Sequence, residues 1–118
     1  MNLFDTTQLG LERAVAGAGM RQATLAGNIA NANTVGYQRR DVNFHSALSA
    51  AMETGASAVR QVAFHPETVA GAPMRADGNS VDIDVESATM ARNGLEYEAL
   101  VSVARGRIDV LESAMGVR

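Results

Sequence analysis

Apolar residues recur at an alternating spacing of four and three along two long stretches, one near each end of the chain. In the first stretch these positions are 4, 8, 11, 15, 18, 22, 25, 29 and 32, and seven of the nine are apolar. A pattern sustained over about four heptads is typical of a helix that packs along one seam. We therefore predict a helix over about residues 5–33, whose candidate packing residues are Leu11, Val15, Ala18, Leu25 and Ile29.

The start of this helix can be read from its polar residues. Asp5 as N-cap places Gln8 at the third helical position, which is the arrangement of a capping box. Phe4 and Leu9 then occupy the two positions of a hydrophobic staple. The sequence thus predicts that the helix begins directly after Asp5.

The second stretch repeats the pattern at positions 90, 94, 97, 101, 104, 108, 111 and 115. We expect its helix to begin around residues 84–87, because Asp84 and Glu86 suit the positive end of a helix dipole. The candidate packing residues are Met90, Tyr97, Val101, Ala104, Ile108, Leu111 and Met115. The two seams can pair as a closed hairpin or with other copies in a ring or an open tube, and the pattern alone does not decide between them.

Asparagines accumulate where the first apolar pattern ends. Asparagine competes with helix by bonding its own backbone, and Gly36 can take the positive φ that a chain reversal needs. We predict a built turn there, with the candidate residues Asn28, Asn31, Asn33, Thr34, Gly36 and Tyr37.

The middle of the chain lacks a long periodic pattern. We predict an extended arm over 37–44, a helix of two turns over 45–53, a linker over 54–58 and a strand over 59–64. An irregular segment over 65–80 and a short strand over 81–86 follow. The predicted fold class is mainly α, with two long terminal helices in a coiled-coil-like hairpin and an irregular middle that contains short β pieces. The expected parts are 1–36, 37–84 and 85–118.

Composition narrows the kinds of function. The net charge is −3 without a basic patch, which argues against nucleic acid, and the chain has no cysteine for a disulfide or thiolate chemistry. No apolar run approaches a membrane span, and no cleaved signal is visible at the N-terminus. Four glycines in the first helix cost about 3–4 kcal/mol of intrinsic helicity, which small residues in close helix contacts can offset.

Candidate catalytic or metal chemistry is sparse. His45 and His65 accompany Asp41, Asp82 and Asp84, but no pair of histidines has the spacing of metal ligands. No nucleophile elbow or glycine-rich phosphate loop occurs. We therefore expect no catalytic residues, no metal site and no cofactor.

Two segments resemble a known family. Residues 25–37 read Leu-Ala-Gly-Asn-Ile-Ala-Asn-Ala-Asn-Thr-Val-Gly-Tyr, which resembles the Asn-rich signature of bacterial flagellar rod, hook and hook-associated axial proteins. Residues 38–44, residues 78–86 and the closing helix around Tyr97 are similar to the proximal rod members. Val35 stands where the family usually has proline, so we expect a less rigid turn that is still present.

The resemblance implies a structural role in the periplasmic rod, where terminal helices of neighbouring subunits would pack into a tube that transmits torque from motor to hook. It implies no enzymatic activity and export through the flagellar type III apparatus without cleavage. The implied partners are further copies of the chain, the rod protein FlgC, the adaptor FliE, and basal-ring or export-gate components. The alternative from the residues alone is a helical-hairpin adaptor that binds a partner helix without polymerising.

Overall fold

The computed structural model of the chain describes residues 5–116 and consists mainly of helix. In chain order the elements are α1 (Thr6–Ala30), β1 (Arg40–Asp41), α2 (Phe44–Thr54), α3 (Ala56–Gln61), β2 (Glu67–Thr68) and α4 (Ile83–Ala114). The two short strands pair antiparallel, with Arg40 opposite Thr68 and Asp41 opposite Glu67. The molecule measures 61 × 29 × 14 Å, because α1 and α4 lie side by side along its length. The predicted fold class is thereby confirmed.

The predicted capping box at the start of α1 forms only in part. The Asp5 carboxylate accepts a hydrogen bond of 2.8 Å from the Gln8 backbone N–H, so Asp5 is the N-cap. In a capping box the Gln8 side chain would also accept a hydrogen bond from the Asp5 backbone N–H. Here the Gln8 side chain accepts from Arg107 of α4 instead. Phe4, the other half of the expected staple, lies outside the described residues. At its other end α1 stops at Ala30, three residues short of the predicted end.

Three of the local predictions in the middle of the chain are wrong. The expected linker over 54–58 and strand over 59–64 give way to α3, which begins after Gly55 and buries Val59. Gly55 has φ 135°, a conformation that separates α2 from α3 in a single residue. The periodicity of so short an apolar run does not distinguish a helix from a strand.

The short strand expected over 81–86 is the third wrong prediction. The Asp82 carboxylate accepts hydrogen bonds from the N–H groups of Asp84 and Val85, so it caps α4 and the helix begins at Ile83. The alternation of apolar and acidic residues in this stretch has the period of a strand. It is instead the first turn of a helix whose Glu86 is buried.

The core lies on the side of α1 that faces α2. It consists of Ala14, Ala18, Val42, Phe44 and Phe64, with the Phe44 and Phe64 rings edge to face at 6.1 Å. Gly17 lets α2 approach, since a Cβ atom at this position would lie 2.6 Å from the Phe44 side chain. Within the described part of the chain, no helix is long and apolar enough to cross a membrane.

Candidate functional site

The Asn-rich segment forms a compact turn directly after α1. The Thr34 N–H donates to the Asn31 carbonyl at 3.0 Å, and the Tyr37 N–H donates to the Thr34 carbonyl at 3.2 Å. Gly36 has φ 76° and donates its N–H to the Asp77 carbonyl at 2.9 Å. Val35 is exposed, and the turn closes although this position is not proline.

Asn28 is fully buried and its amide makes four hydrogen bonds. Its Nδ2 donates to the Arg40 carbonyl at 2.7 Å and to Glu86 Oε1 at 2.8 Å. Its Oδ1 accepts from the Arg40 N–H at 3.0 Å and from the Tyr37 hydroxyl at 3.1 Å. Since a primary amide has two donors and two acceptor sites, Asn28 is fully satisfied. It joins α1, the segment after the turn, and α4.

The other asparagines of the turn differ in their surroundings. The Asn31 Nδ2 donates to the Gly27 carbonyl at 2.8 Å, and its Oδ1 accepts from the Thr34 hydroxyl at 3.1 Å. Asn31 therefore satisfies a backbone group at the helix end. Asn33 is exposed.

Asn79 is a buried partner of the turn that reasoning from residue patterns missed. Its Nδ2 donates to the carbonyls of Asn31 and Thr34 at 2.9 and 2.8 Å, and its Oδ1 accepts from the Val81 N–H at 2.8 Å. The Arg75 guanidinium also donates to carbonyls on both sides, those of Ala32 and Val81. The sequence feature that could have indicated Asn79 is the Gly78-Asn79-Ser80 run, which lies in the segment 78–86 that resembles the proximal rod proteins.

An ion pair completes this arrangement. Glu86 is buried, and its carboxylate accepts two hydrogen bonds of 2.9 Å from the Arg39 guanidinium. These hydrogen bonds raise the pKa of Arg39 above its ordinary value, although burial acts in the opposite direction. We use the term turn network for the hydrogen-bonded side chains of Asn28, Arg39, Asn79 and Glu86, of which only Arg39 is partly exposed.

A second ion pair flanks the turn network. Arg21 of α1 donates from Nε to Asp41 at 2.8 Å. Burial by itself would raise the pKa of Asp41, but hydrogen bonds from Arg21 and the Val42 N–H, together with the charges of Arg21 and Arg39, hold it below its usual value. This pair fastens β1 to the side of α1.

Four of the side chains through which α4 contacts α1 are spaced seven residues apart, and three of these four are polar. Glu86 accepts from Asn28, Asn93 donates to the Ala18 carbonyl at 2.9 Å, and Leu100 packs on the core. Arg107 lies against Asp5 at 3.1 Å and also donates to Gln8. We name Glu86, Asn93, Leu100 and Arg107 the polar stripe of α4. It runs antiparallel along α1.

The packing residues expected from the apolar pattern lie beside this contact line. On α1, Ala18 and Leu25 are buried, and Leu11, Val15 and Ile29 are half-buried. On α4, Met90, Val101, Ala104 and Leu111 are half-buried. Tyr97, Ile108 and Met115 are 39%, 42% and 51% exposed. We name Met90, Tyr97, Val101, Ile108 and Met115 the apolar stripe of α4, which the hairpin covers only in part.

The residues considered for metal binding do not come together. His45 instead lies 2.5 Å from the Glu96 carboxylate of α4, with its ring stacked on Phe44. Among residues 5–116, no three His, Asp or Glu side chains are grouped as metal ligands would be.

Two long antiparallel helices, with an Asn-rich turn at the end of the first, define a helical-hairpin protein, and its relatives are flagellar. The sequence model of the family described as "Flagella basal body rod protein" matches residues 12–38, which contain most of α1 and the turn. The chain is 37% identical over 106 residues to flagellar basal body rod protein FlgB of Escherichia coli K12, covering 75% of this chain and 77% of that protein.

Two further relatives carry the same name. FlgB of Bacillus subtilis is 31% identical over 125 residues, covering 98% of this chain and 97% of that protein. FlgB of Salmonella typhimurium is 37% identical over 114 residues, covering 78% and 83%. The chain therefore belongs to the FlgB family of flagellar basal body rod proteins.

Proposed function

We propose that the chain is a structural subunit that assembles through its terminal helices into the proximal part of the flagellar rod, where it transmits torque from motor to hook. Membership of the FlgB family supports the location and the structural role. We also propose that the chain has no enzymatic activity. It is supported by the polar groups of the turn network, which hydrogen-bond to the chain's own backbone and side chains.

The observation that carries the assembly is the apolar stripe of α4. Tyr97, Ile108 and Met115 are each more than a third exposed in the single chain, although they recur at the spacing of a packing seam. A line of exposed apolar side chains along a helix is typical of a surface that another helix covers. The hairpin covers this stripe only in part, so its exposed side is available to neighbouring subunits.

The proposed partners follow from the family. They are further copies of the chain and other rod components, among them FlgC, FliE and basal-ring or export-gate proteins. The proposed route to the rod is export through the flagellar type III apparatus. Heterologous contacts between identical subunits generate an open helical array when their rotation does not close into a ring, and such an array is the geometry that a rod requires.

The test is a motility experiment in a strain whose own copy of this gene is deleted. Ile108→Asp places a charge in the apolar stripe at an exposed position, so we expect a folded, exported subunit that gives no swimming and no rods. Ser102→Asp, at an exposed position of the same helix outside both stripes, is the matched control and should swim normally. Normal swimming of the Ile108→Asp strain would contradict the proposal.

A further inference from the structure

The sequence contains a single Asn-Gly pair, Asn93-Gly94, and this pair lies inside α4. Asparagine and glycine are both poor helix formers, and the pair is typical of tight turns. Asparagine is also among the chemically labile residues of proteins. The helical conformation of this pair therefore depends on the contacts that α4 makes with α1 and not on local preference.

Those contacts are made by one side-chain group. Asn93 is buried, and its Nδ2 donates to the Ala18 carbonyl at 2.9 Å and to Gln22 Oε1 at 2.8 Å. Its Oδ1 has no hydrogen-bond partner among the described residues. The hydrogen bonds that hold the Asn93 side chain against α1 thus come from the NH2 group, which is the group that deamidation removes.

Deamidation of an Asn-Gly pair requires only water. The glycine backbone nitrogen attacks the asparagine Cγ atom and loses its proton, the Cγ–Nδ2 bond breaks, and ammonia leaves. A water molecule then opens the five-membered succinimide. Aspartate forms when the new bond to Cγ breaks, and isoaspartate forms when the bond to the backbone carbonyl carbon breaks. Glycine favours ring closure, because it lacks a Cβ atom and adopts a wide range of backbone conformations.

The folded arrangement withholds both reacting groups. Within α4 the Gly94 N–H belongs to the helical hydrogen-bond ladder, and the Asn93 amide is bound to α1. We call α4 closed when it packs on α1 in this way, and open when this part of it leaves the helical conformation. The succinimide can form only in the open state, so its rate measures how often α4 opens.

We propose that Asn93-Gly94 is a site of spontaneous deamidation in chains that have not assembled, and that the modified chains are excluded from assembly. The second half of this inference rests on the proposed function. Neighbouring subunits that cover the apolar stripe bind only the closed state of α4, so assembly stabilises that state and protects the pair. The pair then limits how long an unassembled chain stays competent.

The products of the reaction do not restore the lost contact. An aspartate at position 93 has the shape of asparagine but no NH2 donor. The Gln22 amide can turn to donate, whereas the Ala18 carbonyl can only accept and would face a carboxylate oxygen. Burying such a charge costs free energy unless it is paired. Isoaspartate adds a carbon atom to the main chain and interrupts the helical ladder as well.

The first experiment measures deamidation of Asn93 by peptide mass spectrometry in three samples at the same neutral pH and temperature. They are the purified chain in denaturant, the dilute purified chain, and the chain within isolated basal bodies. Asn28, which precedes the bulky Ile29, is the internal reference. Relative to the denatured chain, we expect deamidation of the dilute chain to be slower by less than about tenfold and that of the assembled chain by more, since tenfold corresponds to about 1.4 kcal/mol of opening free energy.

The matched variant is Gly94→Ala, which keeps the Asn93 amide and removes the glycine. A Cβ atom at this position would lie 3.7 Å from Gln22 Nε2, which is an ordinary van der Waals contact. In denaturant, where helix formation plays no part, we expect deamidation of Asn93 in this variant to be several-fold slower than in the unchanged chain. Equal rates would mean that the Asn-Gly pair is not the reactive element.

The second experiment tests exclusion from assembly. In cells with the unchanged chain, the fraction modified at position 93 should be lower in isolated basal bodies than in the unassembled pool. In the deletion strain, Asn93→Asp reproduces the aspartate product and should swim poorly. Gly94→Ala and Ser102→Asp, which adds the same charge at an exposed position of α4, should swim normally.

Four results would each overturn the inference. They are protection of Asn93 by more than about tenfold in the dilute chain, equal rates in the dilute chain and in basal bodies, equal modified fractions in basal bodies and the unassembled pool, and normal swimming of the Asn93→Asp strain. The proposed function fails separately, through normal swimming of the Ile108→Asp strain or absence of the chain from basal bodies. The rates in the dilute and denatured chain decide the deamidation site in either case.

Discussion

The two ends of the helix pair have opposite characters. At the turn end, the buried amides of Asn28 and Asn79 and the carboxylate of Glu86 are bonded to the chain's own groups. In the outer half of α4, apolar side chains such as Ile108 and Val110 are exposed, and the contact with α1 depends on Arg107 at the protein surface. One end is closed by hydrogen bonds within the chain, and the other leaves apolar side chains exposed.

The difference follows from what each kind of group requires. A buried amide or carboxylate must find partners of defined geometry, so it selects one arrangement of the chain around it. Burial of an apolar side chain is favourable against any well-packed surface, because the hydrophobic effect is non-directional, so that surface can belong to another chain. Four substitutions test this contrast, and we give them from the largest expected effect to the smallest.

Asn28→Leu should have the largest effect on the free energy of unfolding. It removes four hydrogen bonds and leaves the Arg40 backbone and the Glu86 carboxylate without this partner, so we expect a loss of about 3–5 kcal/mol, measured by chemical denaturation. Asn33→Leu is the matched control in the same motif, because Asn33 is exposed, and it should change stability by less than about 0.5 kcal/mol. Equal losses in both variants would mean that the turn network does not hold this end.

Gly17→Ala should rank second. Its Cβ atom would lie 2.6 Å from the Phe44 Cβ and Cγ atoms, and overpacking of this kind costs about 1–3 kcal/mol. Gly27→Ala on the same helix meets open space and should stabilise the chain by up to about 1 kcal/mol through helix propensity. Thermal melts of the two variants that shift in the same direction would argue against the close approach of α2 to α1.

Asp41→Asn should rank third and depend on pH. The pKa of Asp41 is lowered in the folded chain, so its ion pair stabilises the fold above the unfolded pKa and is lost as pH falls through the folded pKa. At pH 7 we expect the variant to be less stable by about 1–2 kcal/mol. The difference should shrink as pH falls below about 4. A difference that stays constant from pH 7 to pH 3 would exclude the Arg21–Asp41 pair as its cause.

Val110→Asp should have the smallest effect on the single chain. Val110 is 68% exposed in the outer half of α4, so the free energy of unfolding should change by less than about 0.5 kcal/mol. Denaturant titration of the purified chain measures this directly. A loss above about 1 kcal/mol would mean that the outer half contributes to the single-chain core, and the contrast between the two ends would disappear.

Helices and their ends were predicted correctly where they depend on a side chain that contacts residues close to it in the sequence. Asp5 was recognised as an N-cap because a carboxylate at this position reaches the N–H groups of the next turn. The Asn-rich turn and the reversal at Gly36 were predicted for the same reason. The predicted helix over 45–53 corresponds to α2, which extends one residue further at each end.

Prediction was wrong where a distant contact decided the outcome. The acidic alternation over 81–86 has the period of a strand, yet α4 begins at Ile83, and the partners that bury the Glu86 carboxylate, Arg39 and Asn28, lie 47 and 58 residues away. The apolar pattern of α4 predicted its packing residues without their orientation. Nothing in the spacing indicated that Asn93 and Arg107, two polar residues, would face α1.

The sequence by itself determined that the chain is a pair of long helices with a built turn at the end of the first, because periodicity, caps and glycine conformations act over a few residues. Only the tertiary structure decided which stripe of α4 closes the hairpin. That choice depends on whether each buried polar atom finds a partner, and the partners of Glu86, Asn93 and Arg107 lie 47 to 102 residues away along the chain. Pairings at such separations exist only once the chain has folded.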